Sequence, residues 1–265
     1  MFQSTARPPI AVTSRANPDA ADAAEAEAVA ARWQVPFLAR PRRGPVTALL
    51  ADAETLLIVD KTSVSLQDEQ GSVRWCLGLA ALRLRALDGG GQGEALSRVG
   101  CLSAGECVLD CTLGLAQDAR VAARLVGPTG QLVGLEVSSP LAMLATEGLR
   151  REQQEPRSAR IEVHHADYRA YLAGLESRSF DVVLFDPMFS KEKRAQPSFA
   201  LLRRLANPAR LEAGMLAEAR RVARRAVLVK APRYGPDLRA LGLVAARASR
   251  SAPVVWARVA AGSGP

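Results

Sequence analysis

The stretch F-D-V-V-L-F-D-P-M-F, Phe180–Phe189, decides how the rest of the chain is read. An apolar run rich in valine ends in an acid, a proline, a methionine and an aromatic. A run without polar alternation suits a strand buried on both faces, as in a parallel sheet. Pro187 has no N–H to give a central ladder, so the strand stops there. Asp186 is thereby predicted at the carboxyl end of a central strand, the edge at which open α/β sheets bind ligands. An ordinary strand with an acid and a proline at its exit reads the same way locally, so the flanking segments decide.

Downstream of Glu106 the pattern alternates. Strands are predicted over Cys107–Cys111, Gln131–Val137, Arg160–His164, Asp181–Phe185 and Arg225–Lys230. Helices are predicted over Ala116–Leu125, Pro140–Arg151, Tyr168–Leu175 and Pro208–Arg220. Leu241–Ala246 and Val254–Val259 supply a last pair of strands. Strands separated by helices imply an α/β, doubly wound, mostly parallel sheet over residues 81–265. Right-handed crossovers place its helix-entering loops on one edge.

Residues 1–80 read as a small N-terminal α+β extension. Ile10–Ser14 forms a short strand, and Asn17-Pro18-Asp19 opens an alanine- and glutamate-rich helix to about Trp33. A short helix over Val46–Ala53 and strands at Thr55–Asp60, Ser63–Leu66 and Ser72–Leu77 follow. Gly89-Gly90-Gly91-Gln92-Gly93 is either a linker between the halves or a backbone that approaches a ligand closely.

Composition bounds the function. The net charge is +8, carried mostly by arginine, which favours polyanion partners such as RNA; an arginine-rich codon bias produces the same excess. Four cysteines form no C-x-x-C pair and the two histidines are adjacent, so a zinc site is not expected and the thiols are read as reduced. No long apolar run and no apolar leader in Met1–Pro9 point to a cytoplasmic protein without a membrane span.

Acids recur at the strand ends. Asp110 closes the first strand, in V-L-D-C-T-L-G-L-A-Q-D-A (108–119), with Gly114 in the turn and Asp118 one turn into the helix. A single glycine does not make the phosphate cradle of G-x-G-x-x-G. An acidic loop instead suits a ligand that carries an amine and a positive charge, as S-adenosylmethionine does. Glu136 ends the second strand, where α/β nucleoside sites hold ribose hydroxyls. Asp167, after His164-His165-Ala166, either accepts from an adenine amine or caps the helix at Tyr168. With Asp186 these make four strand-end acids in register.

On these pieces the chain resembles the class I S-adenosylmethionine-dependent methyltransferases, and more narrowly the RsmJ-type 16S rRNA guanine-N2 methyltransferases and their relatives. The resemblance rests on the segments at 89–96, 108–119, 134–136, 165–167, 181–189 and 227–233, in that order. It implies a Rossmann-like class I sheet with its last strand antiparallel, in an S-adenosylmethionine-binding domain over 81–265. It also implies that Asp110, Thr112, Gly114, Gln117 and Asp118 surround the methionine end of the cofactor. Glu136 would hold the ribose, Val137 would lie beside the adenine, and Asp167 would meet its amine.

D-P-M-F is similar to the motif of enzymes that methylate exocyclic amines. By that likeness Asp186, which also borders the cofactor, and Pro187 accept the amine's N–H groups and Phe189 stacks on an extruded base. Lys191, Lys193, Arg194, Lys230 and Arg233, with Arg203 and Arg204, are the expected contacts to RNA phosphates. The chain departs from the family at Ala116, where a second glycine is usual, at Gln117, often arginine, and at Ser190-Lys191, usually proline and histidine. DNA, a protein side chain or a small amine as substrate, or a non-catalytic RNA-binding module, remain the alternatives.

Overall fold

Strong local signals set the first elements of the chain, seen here in a computed structural model that describes residues 7–41, 43–90, 94–152, 155–187, 197–246 and 252–262. Helix α1 (Ala20–Trp33) follows β1 (Ala11–Ser14) and opens on a capping box, in which Asp19 accepts from the Asp22 amide and Asp22 reaches back to the Asp19 amide. Its buried Ala26, Val29 and Ala30 recur at helical spacing. After a 3-10 turn over Val46–Ala51 come β2 (Leu56–Val59), β3 (Val64–Gln67) and β4 (Ser72–Arg74). The four strands form one sheet in the order β1-β2-β3-β4, with β1 and β2 parallel and the other pairs antiparallel.

The chain then runs through α2 (Gly78–Asp88), α3 (Ala95–Gly100), β5 (Cys107–Asp110), α4 (Gln117–Val126) and β6 (Gln131–Glu136). Next come α5 (Ser139–Arg151), β7 (Ile161–His165), α6 (Tyr168–Ala173) and β8 (Phe180–Phe185). The last elements are α7 (Pro197–Leu205), α8 (Ala213–Val222), β9 (Ala223–Pro232), α9 (Asp237–Ala240) and β10 (Val254–Ala260). Six strands make the second sheet in the order β10-β9-β8-β5-β6-β7, parallel except for the antiparallel β10. This is the Rossmann-like class I methyltransferase sheet that the sequence predicts.

Two compact units result, and they do not follow one cut in the chain. Met1–Cys76, Ser138–Gln153 and Arg194–Ala206 form the first; Leu77–Val137, Gln154–Lys193 and Asn207–Pro265 form the second. Helices α5 and α7 thus join the N-terminal sheet, α5 against β2 and β3 and α7 against β4. Gly148 of α5 lets Trp75 lie against the helix: a Cβ there would stand 2.1 Å from Trp75 Cδ2. The fully buried Glu147 accepts from Arg32, Trp33 and Arg151.

In the second unit, β8 is buried on both faces, as its unbroken apolar run requires. Val183 and Phe185 pack with Leu109, Leu135, Tyr168 and Leu172, while Val182 and Leu184 are buried on the opposite side. One expected strand is absent. Leu241–Ala246 is irregular because α9 ends beside Gly242, at φ +67°, and the amides of Gly242 and Leu243 turn back onto Arg239 and Leu238. Ala246 keeps a single backbone bond to Trp256, so β10 enters the sheet without that partner.

The strand order locates the site. From β5 the chain steps outward to β6 and β7, then returns to the other side of β5 with β8. That reversal, between β5 and β8, is the topological switch point where α/β sheets open a crevice at their carboxyl edge.

Candidate active site

Both strands at the switch point end in an aspartate. Asp110, 2% exposed, closes β5, and its carboxylate accepts from the Thr112 amide at 3.0 Å. Asp186 follows β8, and its amide donates to the Thr112 hydroxyl at 2.6 Å. One threonine therefore ties the Asp110 carboxylate to the Asp186 backbone. Burial pushes the Asp110 carboxyl up to about 8; the Thr112 amide opposes this, and Asp118 and Asp186 add to it.

The β5–α4 loop turns tightly. Gly114 sits at φ +51° and donates its amide to Glu136 Oε2 at 3.0 Å, which brings the acids of β5 and β6 onto one loop. Ala116 also lies in the left-handed region, at φ +54°, where an L-residue costs about 1–2 kcal/mol. This is the position where the sequence departs from a usual glycine. Gly134 of β6 makes room for the Leu113 side chain, since a Cβ there would stand 2.5 Å from Leu113 Cδ1. Gln117 accepts from the Ala80 amide at 2.8 Å and so joins the start of α2 to this loop.

Asp118, 5% exposed, lies in the first turn of α4. It pairs with Arg83 of α2 at 2.5 Å and with Lys230 of β9 at 2.7 Å. Burial alone would raise its carboxyl; Lys230 and Arg83 overcome this and hold it down at about 2. Arg83 also forks onto Glu94 Oε1 at 2.9 and 2.6 Å, and Glu94 in turn caps α3 through the Ser97 amide. Lys230 Nζ reaches Asp186 Oδ2 at 2.7 Å as well. Its other face lies over Trp256, 5.6 Å from the ring centre.

Asp118 and Asp186 thus share one ammonium, but only Asp118 has a second cation. Burial raises the Asp186 carboxyl, Lys230 opposes and Asp118 reinforces, and the group comes to about 7. Its side chain keeps 32% of its surface exposed, so water relieves part of that push.

The other candidates are placed as follows. Asp167 caps α6 through the Arg169 amide at 2.8 Å. Val137 follows β6, and its carbonyl lies 3.1 Å from His165 Nε2. Pro187 follows Asp186 at the strand exit. Arg233 donates to the Ala252 carbonyl at 2.8 Å, and Arg204 pairs with Asp68 within the first unit at 2.6 Å. Lys230, expected among the RNA-phosphate contacts, is turned instead to the two aspartates, because a buried ammonium needs anionic partners close by. Phe189, Lys191, Lys193 and Arg194 lie outside the described residues.

Arg83 and Glu94 carry the network yet went unmarked in the sequence. Glu94 caps α3 in the structure, but glutamate is not among the residues favoured at an N-cap, so it carried no signal in the sequence. Arg83 carried none, since its partner Asp118 is 35 residues away.

Comparisons with known proteins bear on the family and the fold. Residues 39–251 match the profile of the SAM_MT family, described as SAM-dependent methyltransferase. Ribosomal RNA small subunit methyltransferase J of Pseudoalteromonas atlantica is 30% identical over 246 residues, which cover 87% of this chain and 91% of that protein. The uncharacterized protein YpiP of Bacillus subtilis is 35% identical over 202 residues, 74% of this chain and 78% of its own length. The crystal structure of a SAM-dependent methyltransferase from Neisseria gonorrhoeae superposes with a TM-score of 0.62 at 22% identity, over 95% of this chain and 96% of that one. That likeness shows the fold.

Proposed function

Because the chain belongs to the SAM_MT family of SAM-dependent methyltransferases, we propose that it methylates an exocyclic amine of small-subunit ribosomal RNA, guanine N2, in the cytoplasm. The observation that carries the reaction type is the joining of Asp186-Pro187 to the Asp110 loop through Thr112. The name of the Pseudoalteromonas relative supports ribosomal RNA as substrate.

The residues fit the cofactor by the chemistry of their donor set. Asp110 is a buried acid with no cation at hydrogen-bonding distance among the described residues, beside a loop with one glycine, which suits a ligand bearing an ammonium and no phosphate. In this reading Asp110 and Thr112–Gly114 hold the methionine end, Glu136 takes ribose hydroxyls, and Val137 and Asp167 border the adenine. When bound, S-adenosylmethionine supplies a methyl group already activated by its sulfonium.

The protein's own task is to align and polarise the amine. An aryl amine is a weak nucleophile because its lone pair is delocalised into the ring. The Asp186 carboxylate and the Pro187 carbonyl accept its N–H groups and favour a pyramidal nitrogen. Asp186 is also placed to take the proton that the nitrogen gives up. Alignment and fixed charge supply most of the acceleration.

Labelled-methyl transfer to small subunits from a strain lacking the gene, followed by mass spectrometry of the nucleosides, tests this reading. N2-methylguanosine is the expected product. Asp186→Ala should lower transfer by about 10²–10³-fold, in line with the loss of one polar group aimed at the reacting atoms, while cofactor binding persists. Label found only in protein, DNA or a small amine overturns the substrate, and calorimetry without cofactor binding overturns the enzyme.

A further inference from the structure

Lys230 serves more than Asp118. Asp118 also holds Arg83 at 2.5 Å, whereas Asp186 has Lys230 alone as a cation among the described residues. Burying an ammonium is costly unless it is closely paired. Lys230 keeps only 19% of its side-chain surface and is confined on three sides, by Asp118, Asp186 and the Trp256 ring. Its backbone lies in the ladder of β9, opposite Trp256 of β10, so the side chain starts from a fixed point. What Lys230 adds is a 2.7 Å contact to Asp186, which has no other cation among its described contacts.

We propose that Lys230 is a positioning residue for methyl transfer: its ammonium orients the Asp186 carboxylate and favours its ionised form, ready to accept the substrate amine's N–H. The proposal rests on the methyltransferase reading above. The groups that act on Asp186 are Lys230 from β9, Asp118 from α4, Asp110 from β5 and the Thr112 hydroxyl; Arg83 acts through Asp118. Burial and both aspartates favour the protonated acid, and Lys230 opposes them.

The signs follow from that balance. Activity that needs the carboxylate rises with pH as Asp186 ionises. Without Lys230 this acid limb moves to higher pH, and without the Asp118 charge it moves lower. An opposite charge within hydrogen-bonding reach shifts a carboxyl by about 1–3 units, so the displacement is measurable.

The test follows kcat against pH at saturating cofactor and RNA for the wild type, Lys230→Met, Lys230→Arg and Asp118→Asn. Melting temperatures establish that each variant is folded. In parallel, carbon-13 NMR of aspartate carboxyls, with Asp186 assigned through Asp186→Asn, reads its titration without any substrate. Lys230→Met is expected to lose at least about fivefold in kcat at neutral pH and to recover as the pH rises, with the Asp186 resonance titrating at least about one unit higher. Lys230→Arg, which keeps the charge, should hold the limb near its wild-type place, and Asp118→Asn should lower it.

An equal loss at every pH, or an unmoved Asp186 titration, overturns the proposal. Should Lys230→Met fail to fold, the Arg and Asn variants decide it, since unmoved limbs and titration in Asp118→Asn contradict the charge balance. A wild type that transfers no methyl to RNA overturns the functional reading instead, and NMR still reports whether Lys230 governs Asp186.

Discussion

Asp110 and Asp118 lie eight residues apart, both buried, and shift in opposite directions because only Asp118 is directly paired with cations. The raised Asp110 carboxyl favours the folded state fully below about pH 4, and that contribution is lost as the pH rises through about 8. The depressed Asp118 carboxyl does the reverse: its contribution is present above about pH 4 and is lost as the pH falls through about 2. Asp110→Asn keeps an acceptor for the Thr112 amide and removes the ionisable group. It should therefore stabilise the ligand-free protein at pH 8 by at most about 5 kcal/mol, with little effect at pH 4, while cofactor affinity falls. Urea denaturation at both pH values checks the sign. Asp110, Glu136 and Asp186 were legible in the sequence because each closes an apolar run, and a run's end is a local property. The tie from Lys230 to Asp118 was not, because it spans 112 residues and depends on β9 lying beside β8.

At the scale of elements, α5 shows what periodicity leaves open. Its pattern announces a helix with a face to bury, and α5 does form, over Ser139–Arg151. Nothing local says that this face covers β2 and β3 of the first unit. The assignment is made by Gly148, which admits the Trp75 ring, and by Glu147, where Arg32, Trp33 and Arg151 converge. Burial raises the Glu147 carboxyl, but Arg151, Arg32 and Trp33 outweigh it and hold the group below the ordinary range. Glu147→Gln leaves two guanidiniums short of a counter-charge and should destabilise the fold by about 3 kcal/mol at pH 7. Since a depressed acid contributes above its unfolded value, the gap to wild type should narrow as the pH falls below about 4.5. Denaturation of both proteins at pH 7 and pH 4 measures that narrowing. The misread strand at Leu241–Ala246 teaches the same lesson, because its apolar residues suit a strand and the left-handed Gly242 overrules them.

Across the whole molecule, the number of basic residues exaggerates the cations left open to a polyanion. Of the 35 lysines and arginines, Arg83, Arg124, Arg151, Arg204 and Arg225 are each engaged by carboxylates, and the +8 excess already subtracts those acids. Composition gives the excess and not which arginines are engaged. Under the proposed function that excess implies counterion release when RNA binds. RNA affinity should fall at least about tenfold between 50 and 200 mM salt, as a few phosphate contacts require, while cofactor affinity changes much less. Filter binding and calorimetry across that range separate the two. The Thr112 hydroxyl has a different reach. Because it joins the backbone of Asp186 to the loop that carries Asp110, it holds the two acids, to which the proposed function assigns the amine and the cofactor, like the jaws of a fixed gauge. Segments beyond Pro187 can then change in length or sequence, and present a different amine, without resetting that gauge. A lineage built on this joint can exchange substrates while it inherits its transfer distance unchanged.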